Sequence, residues 1–428
     1  KKMRDKEFHA KVFCIFVYEM KYNTFTLSNG LRVIHQSNPS SVIYCGYEIN
    51  AGSRLENSRE EGLAHFCEHT TFKGTKRRKA WHILNCLENV GGDLNAYTNK
   101  EDTVYYAAVL KEHVGRAVDL LTDIVFHSTY PQKEIDKEVE VICDEIESYN
   151  DSPADLIYDE FENRIFQGHP LGHNILGTAE GVRSFRTEDA LNFTKKYYRP
   201  ERAVFFIYGD IDFHKVIRML EKATSDFEDC QPYKEQRMND AVLQDQSGVY
   251  VVDKGTHQAH VMIGNRGYAI HDKKRMPLYL LNNILGGPGM NARLNLSLRE
   301  HHGLVYTVES NMVNYGDTGL WCTYFGCDSE NIKRCLRLLK KELRKAMDIP
   351  LTDFQLRAAK KQIKGQIGIG CDNRENFALD FGKSFLHYGK EKDIPTLFAS
   401  IDSITSEEIL DVARDVINPD KMTTLIYK

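Results

Sequence analysis

Two short stretches of the chain repeat each other: RTEDAL at Arg186–Leu191 and TSEEIL at Thr405–Leu410. A proline follows each stretch at the same distance, as Pro200 and Pro419, so the second copy lies 219 residues after the first. In both copies a hydroxyl residue caps a helix and the proline follows its end. An apolar strand comes next in each copy: AVFFIY at 203–208 and MTTLIY at 422–427.

The repeat extends upstream of these stretches. Each copy has a strand, an amphipathic helix and a charged helix in that order: 104–110, 113–125 and 131–147 in the first, and a strand from 320, then 332–347 and 352–367 in the second. A period this long indicates duplicated domains, because solenoid repeats run at about 20 to 50 residues. We therefore predict an α+β fold of two homologous domains related by internal duplication. Each would be a mixed, largely antiparallel sheet with helices packed on one face.

Local composition suggests where the domains begin and end. The stretch 229–247 is polar and contains a proline, which is typical of a connection between domains. We predict an N-terminal extension of unknown role at 1–20, a first domain at 21–235, a linker at 236–245 and a second domain at 246–428.

The overall composition narrows the classes of partner. The 428 residues are 42% hydrophobic, enough for a substantial core, and their net charge of −5 offers no basic footprint for nucleic acid or anionic membranes. The apolar run Val12–Tyr18 is shorter than the roughly 20 residues of a membrane span, and no cleavage-like pattern follows it. Ten cysteines without a C-x-x-C pair indicate free thiols in a reducing compartment. We expect a cytoplasmic protein that binds neither nucleic acid nor membranes.

The segment 61–71, EGLAHFCEHTT, carries a candidate metal motif. His65 and His69 stand four apart and share one face of a helix, where two imidazoles can bind one metal ion. Glu68 lies beside them and could take a proton from metal-bound water. This H-x-x-E-H order reverses that of the H-E-x-x-H zinc peptidases, and imidazole ligands favour zinc. The five-residue pattern alone is equally compatible with a surface helix that bears two histidines and an acid.

A catalytic zinc site needs a third protein ligand, and a carboxylate is the best candidate. The acidic helix EIDKEVEVICDEIE offers five glutamates: Glu134, Glu138, Glu140, Glu145 and Glu147. Glu138 and Glu145 stand seven apart on one stripe of this helix, so one could bind the metal and the other orient a ligand. Charged stripes are usually solvated faces. The two glutamates therefore indicate a metal site only in combination with the histidine motif.

Together these residues resemble the pitrilysin-like (insulinase and mitochondrial processing peptidase-like) inverted zinc metallopeptidase family, in particular its short two-domain bacterial members. The resemblance covers nearly everything from about residue 22 onward. The family motif is H-x-x-E-H followed 76 residues after its second histidine by a glutamate. It matches His65, Glu68, His69 and Glu145. Glu138 matches a further acid that supports the metal ligands in the family.

Two other family motifs match. GGDLNAYT at 91–98 places the family's asparagine and alanine on Asn95 and Ala96, which implies an edge strand where a peptide substrate adds itself as an extra strand. REHHGLVYTV at 299–308 places the family's arginine and tyrosine on Arg299 and Tyr306. In the family this pair steadies the substrate backbone and the tetrahedral oxyanion.

The resemblance implies a zinc-dependent endopeptidase that hydrolyses peptides or unfolded polypeptide segments in an enclosed chamber, with Glu68 as the general base. The first domain would be the catalytic, zinc-binding one, and the second would carry the Arg/Tyr motif. The second domain has no histidine between His271 and His301, so we expect one Zn²⁺ per chain. Because one chain carries both motifs, a homodimer is expected. Arg299 and Tyr306 would act in their own chain or in the partner chain.

Two other functions stay open from the sequence. One is a non-catalytic or processing-complex subunit of the same family that binds peptides or partner proteins. The other is a peptide-binding chamber in which zinc is structural. The intact set of His65, Glu68, His69 and Glu145 favours the enzyme.

Overall fold

A computed structural model of the chain describes residues 21–228 and 247–428. The predicted extension at 1–20 and linker at 236–245 lie outside the described residues, as does the end of the predicted first domain. The domain boundaries therefore stay predictions. Within the two described ranges, no helix is both long enough and apolar enough to cross a membrane.

The first half of the chain contains six strands and eight helices within its described range, 21–228. The strands are β1 (Tyr22–Thr26), β2 (Arg32–Gln36), β3 (Val42–Ile49), β4 (Asp93–Thr98), β5 (Thr103–Leu110) and β6 (Ala203–Tyr208). The helices are α1 (Leu63–Thr71), α2 (Ala80–Glu88), α3 (Val114–His127), α4 (Gln132–Asn150), α5 (Pro153–Ile165), α6 (Ala179–Ser184), α7 (Thr187–Tyr197) and α8 (Phe213–Ala223).

The second half follows a similar order of elements. Its strands are β7 (Gly248–Val252), β8 (Ala259–Gly267), β9 (Val305–Asn314), β10 (Gly319–Cys327) and β11 (Thr423–Tyr427). Its helices are α9 (Arg275–Gly286), a π-helical segment at Asn295–Glu300, α10 (Ile332–Asp348), α11 (Asp353–Gly370), α12 (Arg374–Tyr388), α13 (Ile394–Ser403) and α14 (Ser406–Val416).

The two sheets have the same topology apart from β1. The first runs in the order β1-β2-β6-β3-β5-β4 and the second in the order β7-β11-β8-β10-β9. In the first sheet β2 pairs parallel with β6, in the second β7 pairs parallel with β11, and every other pairing is antiparallel. The predicted α+β fold of two duplicated, largely antiparallel layers is thus confirmed.

Strand β6 shows how the sequence produces the layers. All six of its residues, AVFFIY, are buried. Alternate side chains of a strand point to opposite faces, so Phe205 joins the main core of the first half while Phe206 joins a separate cluster on the other face. A strand that is apolar at every position is expected where both faces of a sheet are covered.

The predicted placing of helices on one face of each sheet is incomplete, because each half also contributes one helix to the far face of the other half's sheet. Helix α12 covers the first sheet, where Phe381 packs edge-on against Phe206 with ring centroids 6.3 Å apart. Helix α5 covers the second sheet, where Phe161 lies in one cluster with Leu320 and Leu425. Phe161 and Phe381 are 220 residues apart and both are fully buried. The exchanged helices are therefore equivalent elements of the duplication.

Candidate metal centre

Helix α1 begins at a position that only glycine fits. Gly62 has a φ of 94°, and a Cβ there would lie 2.7 Å from the carbonyl oxygen of Leu176. Glu56 takes the place of a capping side chain, because its carboxylate accepts hydrogen bonds from the backbone N–H groups of Gly62 and Ala64 at 2.9 and 2.7 Å. His173 donates to the same carboxylate at 3.0 Å. The start of α1 is thus held by contacts within the first half.

His65 and His69 project from α1 towards α4, where Glu145 meets them. The Oε2 atom of Glu145 lies 3.2 Å from Nε2 of His69 and 3.8 Å from Nε2 of His65. The candidate ligand atoms of the three residues all lie within 4.8 Å of one another. In the described part of the chain, no other three His, Cys, Asp or Glu side chains converge in this way. We call these three residues the metal triad.

Glu138 orients one member of the metal triad. Its Oε1 accepts a hydrogen bond from Nδ1 of His69 at 3.1 Å, and its Oε2 pairs with Lys73 at 2.6 Å. Because Nδ1 of His69 is committed to Glu138, Nε2 is the nitrogen that faces Glu145. A carboxylate behind a histidine is the usual way to fix the tautomer of a metal ligand.

The two imidazoles are in different electrostatic environments. Burial and the neighbouring His69 lower the pKa of His65 to about 4, so His65 is neutral at pH 7. Burial also opposes the charge on His69, but hydrogen bonds to Glu138 and Glu145 raise its pKa to about 9. The hydrogen bond from His69 lowers the pKa of Glu145. Glu145 beside Nε2 and Glu138 beside Nδ1 therefore favour positive charge on His69, and a metal ion at Nε2 would replace the proton there.

The donor set fits zinc. Two imidazoles and one carboxylate are the ligands of many catalytic zinc sites, which keep a fourth position for water. Nδ1 of His65 is buried with no hydrogen-bond partner, and its Nε2 comes no closer than 3.8 Å to Glu145. Buried polar atoms without partners are rare in folded proteins. A cation at Nε2 of His65 would bond the nitrogen that faces Glu145 across this 3.8 Å gap, while Nδ1 stays without a partner among the described residues.

Glu68 stands next to the metal triad as a candidate base. One of its oxygens, Oε2, accepts a hydrogen bond from the hydroxyl of Thr98 at 2.6 Å. No described residue donates a hydrogen bond to the other oxygen, Oε1. Burial raises the pKa of Glu68, while the bond from Thr98 and the charge of His69 oppose that rise. A carboxylate with a raised pKa and one free oxygen is suited to accept and return a proton.

Asn95 and Ala96 lie on β4, one of the two edge strands of the first sheet. Among the described strands β4 pairs only with β5, and the side chain of Asn95 donates to its neighbour Asp93 at 2.8 Å. Helix α1 packs against β4, and the strand ends at Thr98, the residue bonded to Glu68. An open strand edge therefore leads to the metal triad.

Arg299 and Tyr306 lie in the second half and do not contact the metal triad. Arg299 belongs to the π-helical segment, and Tyr306 is near the start of β9, one of the two edge strands of the second sheet. Tyr306 is 64% exposed. No hydrogen bond or ion pair between described residues joins either of them to Glu68 or the metal triad. Their role in the reaction stays a prediction.

Three residues that support the site were not predicted from the sequence: Glu56, Lys73 and Thr98. Glu56 and Lys73 reach their partners through tertiary packing, and no spacing in the sequence signals those contacts. Thr98 had a usable signal, because it stands two residues after Ala96 and so shares its face of β4.

The sequence matches two family descriptions: "Insulinase (Peptidase family M16)" over residues 32–179 and "Peptidase M16 inactive domain" over residues 184–363. The Bacillus subtilis protein named "Uncharacterized zinc protease YmxG" is 32% identical over 403 residues, which cover 94% of this chain and 97% of that protein. Human "Mitochondrial-processing peptidase subunit beta" is 30% identical over 400 residues, 91% of this chain and 81% of that protein.

Solved structures show the same fold. A protease from Helicobacter pylori matches with a TM-score of 0.86 at 22% identity, covering 96% of this chain and 100% of that chain. A protein from Pseudomonas fluorescens described as a peptidase M16 inactive domain matches with a TM-score of 0.84 at 18% identity, covering 95% and 98%. The family predicted from the sequence is confirmed, and the chain belongs to the insulinase-like zinc proteases of peptidase family M16.

Proposed function

We propose that the chain is a zinc-dependent endopeptidase that hydrolyses peptides or unfolded polypeptide segments. The observation that carries this proposal is the convergence of His65, His69 and Glu145 within 4.8 Å, next to the buried carboxylate of Glu68. The names of the relatives, which are called zinc proteases, support the same class of reaction.

The metal triad would hold one Zn²⁺ per chain through Nε2 of each histidine and Oε2 of Glu145. When bound, zinc supplies Lewis acidity, which makes water more acidic and polarises a peptide carbonyl. Glu138 keeps Nε2 of His69 directed at the site by accepting a hydrogen bond from Nδ1–H, and Lys73 balances the charge of Glu138. The count of one zinc follows from α9, the counterpart of α1, which contains no His, Cys, Asp or Glu.

Glu68 is the general base in this proposal. It takes a proton from the attacking water and returns it to the amine that leaves when the peptide bond breaks. The hydroxyl of Thr98 occupies Oε2 of Glu68, which leaves Oε1 to carry the proton. Burial raises the pKa of Glu68 towards neutral pH. The carboxylate can then both take the proton from water and return it to the leaving amine.

Strand β4 is the proposed binding site for the substrate backbone. An extended peptide that pairs with an exposed strand edge is recognised mainly by main-chain hydrogen bonds, so little is demanded of its sequence. Asn95 and Ala96 lie on this strand, which leads to Glu68 through Thr98. Peptides and unfolded segments offer an extended backbone whose N–H and C=O groups are unpaired, so they suit this edge as substrates.

We further propose that two chains form a homodimer that encloses a chamber and that Tyr306 and Arg299 act there on bound substrate. The hydroxyl of Tyr306 bonds to no described residue, and the side chain is 64% exposed, so it is accessible to a substrate or to a partner chain. Tyr306 would donate a hydrogen bond to the developing oxyanion, a contribution whose loss typically costs about 10²–10³ in rate.

A zinc and turnover assay tests the proposal. The purified chain is loaded with zinc and given a quenched fluorescent peptide with and without a chelator, alongside Glu68→Gln and the control Glu61→Gln, a carboxylate just before α1. We expect one zinc per chain in all three proteins and turnover that chelation abolishes and added zinc restores. Glu68→Gln should be slower by about 10²–10⁴-fold.

The same assay separates the alternatives. A wild-type chain that retains zinc and hydrolyses no peptide would favour the non-catalytic subunit or the peptide-binding chamber. Unaltered hydrolysis by Glu68→Gln would show that another group is the base.

A further inference from the structure

The carboxylate of Glu68 is oriented by a single hydroxyl. Thr98 donates to Oε2 at 2.6 Å, and no other described residue bonds to this carboxylate. Thr98 is the last residue of β4 and pairs across the sheet with Thr103 on β5. The hydroxyl of Thr103 lies 3.5 Å from that of Thr98 and donates to the carbonyl oxygen of Ala51 at 2.8 Å. The position of Thr98 therefore depends on the connection at residues 99–102, the β4–β5 turn.

The first half holds one side of the β4–β5 turn through backbone contacts. The carbonyl oxygen of Asn99 accepts from the N–H of Ser53 at 3.2 Å, and that of Lys100 accepts from the N–H of Arg54 at 2.8 Å. A Cβ on Gly52 would lie only 2.3 Å from the Asn99 oxygen, so this approach requires glycine. The turn has little freedom on this side.

The second half holds the other side of the β4–β5 turn through side chains. Asp102 is buried, and its Oδ2 accepts from Nε2 of His387 at 3.1 Å and pairs with Nζ of Lys383 at 3.0 Å, both from α12. Glu101 accepts from the backbone N–H of Gly316 at 3.0 Å. The residues that follow Thr98 are thus in direct contact with the second half.

We infer that Thr98 is a positioning residue for Glu68 and that α12 of the second half fixes Thr98 through its contacts with Asp102. The inference rests on the proposed function, because it requires Glu68 to be the general base. It gives the second half a part in hydrolysis that needs no metal ligand there. With Oε2 held by Thr98, Oε1 of Glu68 keeps one orientation for proton transfer.

Substitutions at Thr98 test the first step in the full-length, zinc-loaded chain with the quenched peptide. Thr98→Val removes the hydroxyl and keeps the shape, and we expect kcat to fall by about 10- to 100-fold, the scale at which misplacement of a catalytic group acts. KM should not change, because valine preserves the main chain of β4. Thr98→Ser restores the hydroxyl and should recover most of the rate. Thr122→Val is the matched control, since it removes a buried hydroxyl that bonds Tyr47 at 2.7 Å.

A double-mutant cycle tests the second step. Lys383→Met weakens the contact with Asp102 and should lower kcat by several-fold in the wild-type background, but by much less in Thr98→Val, because both changes act on the same group. Lys392→Met is the matched control, since Lys392 pairs with Asp380 instead. Losses that multiply independently would overturn the link through α12.

Zinc content and melting temperature distinguish positioning from damage. We expect Thr98→Val to retain one zinc and to melt close to Thr122→Val, and Thr98→Ala offers the same test if valine prevents folding. Loss of zinc from either Thr98 variant would contradict positioning, because the hydroxyl would then be holding the metal site. An active wild type with an equally active Thr98→Val overturns this inference alone, whereas a zinc-loaded wild type without turnover overturns the proposed function and this inference with it.

Discussion

The two halves of the chain place the same helices around the same sheet but carry different side chains on them. Helix α1 packs against α4 and α7 in the first half, and α9 packs against α11 and α14 in the second. Helix α1 carries His65, Glu68 and His69, whereas α9 reads RMPLYLLNNILG and offers no metal-binding side chain. Equivalent packing therefore does not depend on the residues of the metal site.

The second pair of helices differs in charge. Helix α4 carries Glu138 and Glu145, which meet the histidines of α1. Helix α11 has no carboxylate beyond Asp353 and carries four basic residues: Arg357, Lys360, Lys361 and Lys364. Cationic side chains repel a metal ion, so α9 and α11 offer neither the ligands nor the negative charge that α1 and α4 offer. The second half instead offers the cover of the first sheet by α12, the contact of α12 with Asp102, and the exposed Tyr306 on β9.

The largest effect, on zinc affinity, is expected from removing an acidic residue of α4 that its counterpart α11 lacks. Glu145→Gln removes the anionic ligand, and we expect zinc affinity to fall by more than about 100-fold, since even the supporting partners of metal ligands are worth 10- to 100-fold. Competition with a chromophoric zinc chelator measures the affinity. Glu147→Gln, two residues further along the same helix and exposed, should bind zinc like the wild type. Equal affinities in the two variants would mean that the third ligand is another group.

Local spacing explains which parts of the site could be predicted from the sequence. His65 and His69 are one helical turn apart and Glu138 and Glu145 two turns apart, so each pair shares a helix face whatever the tertiary structure. That the two helices meet at these faces followed from the family resemblance. The contacts of Thr98 with Glu68 and of Lys73 with Glu138 join residues 30 and 65 positions apart. Such contacts depend on packing between elements, which spacing along the chain does not encode.

For the fold, the sequence does not predict that α5 and α12 each pack on the sheet of the other half. The unbroken apolar character of β6 indicates that both faces of the first sheet are covered. Nothing in that strand indicates that the cover comes from residues 374–388, in the other half of the chain. The duplication could be predicted because it repeats a local order of elements, whereas the exchange is a relation between the copies.

The exchanged helices provide the next prediction. Phe381 on α12 and Phe161 on α5 are fully buried at equivalent positions, so Phe381→Ala and Phe161→Ala should each lower the free energy of unfolding by about 3–5 kcal/mol. Urea denaturation measures both. Phe354→Ala, which alters a side chain on α11 that is 76% exposed, should cost less than about 0.5 kcal/mol. A large loss for only one of the two buried phenylalanines would show that the halves do not depend on the exchange equally.

The smallest expected effect is a difference in pH dependence between the polar contacts of the same two helices. Helix α12 reaches the β4–β5 turn through the pair of Lys383 with Asp102, and α5 reaches the β9–β10 turn through Glu162, which accepts from the hydroxyl of Tyr315. Burial opposes ionisation of Asp102, but the bond from His387 and the charge of Lys383 hold its pKa well below the usual range. Burial raises the pKa of Glu162. The two contacts should therefore respond to pH with opposite sign.

The lowered pKa of Asp102 means that its contribution is complete above the unfolded-state pKa of about 4 and is lost as the pH falls through the folded-state value. Asp102→Asn should thus cost about 2–3 kcal/mol at pH 7, as expected for breaking a buried ionic contact that is partly open to solvent, and less at pH 3.5. For Glu162 the sign is reversed, because a raised pKa stabilises the folded state below about pH 4 and loses that effect as the pH rises. Glu162→Gln should therefore change the free energy of unfolding by no more than about 1 kcal/mol at pH 7. The stability of the variant relative to the wild type should fall on acidification, because the wild-type carboxyl then becomes neutral as well. Urea denaturation of both variants at pH 7, 5 and 3.5 measures the two trends, and parallel pH dependence would contradict the opposite signs expected for Asp102 and Glu162.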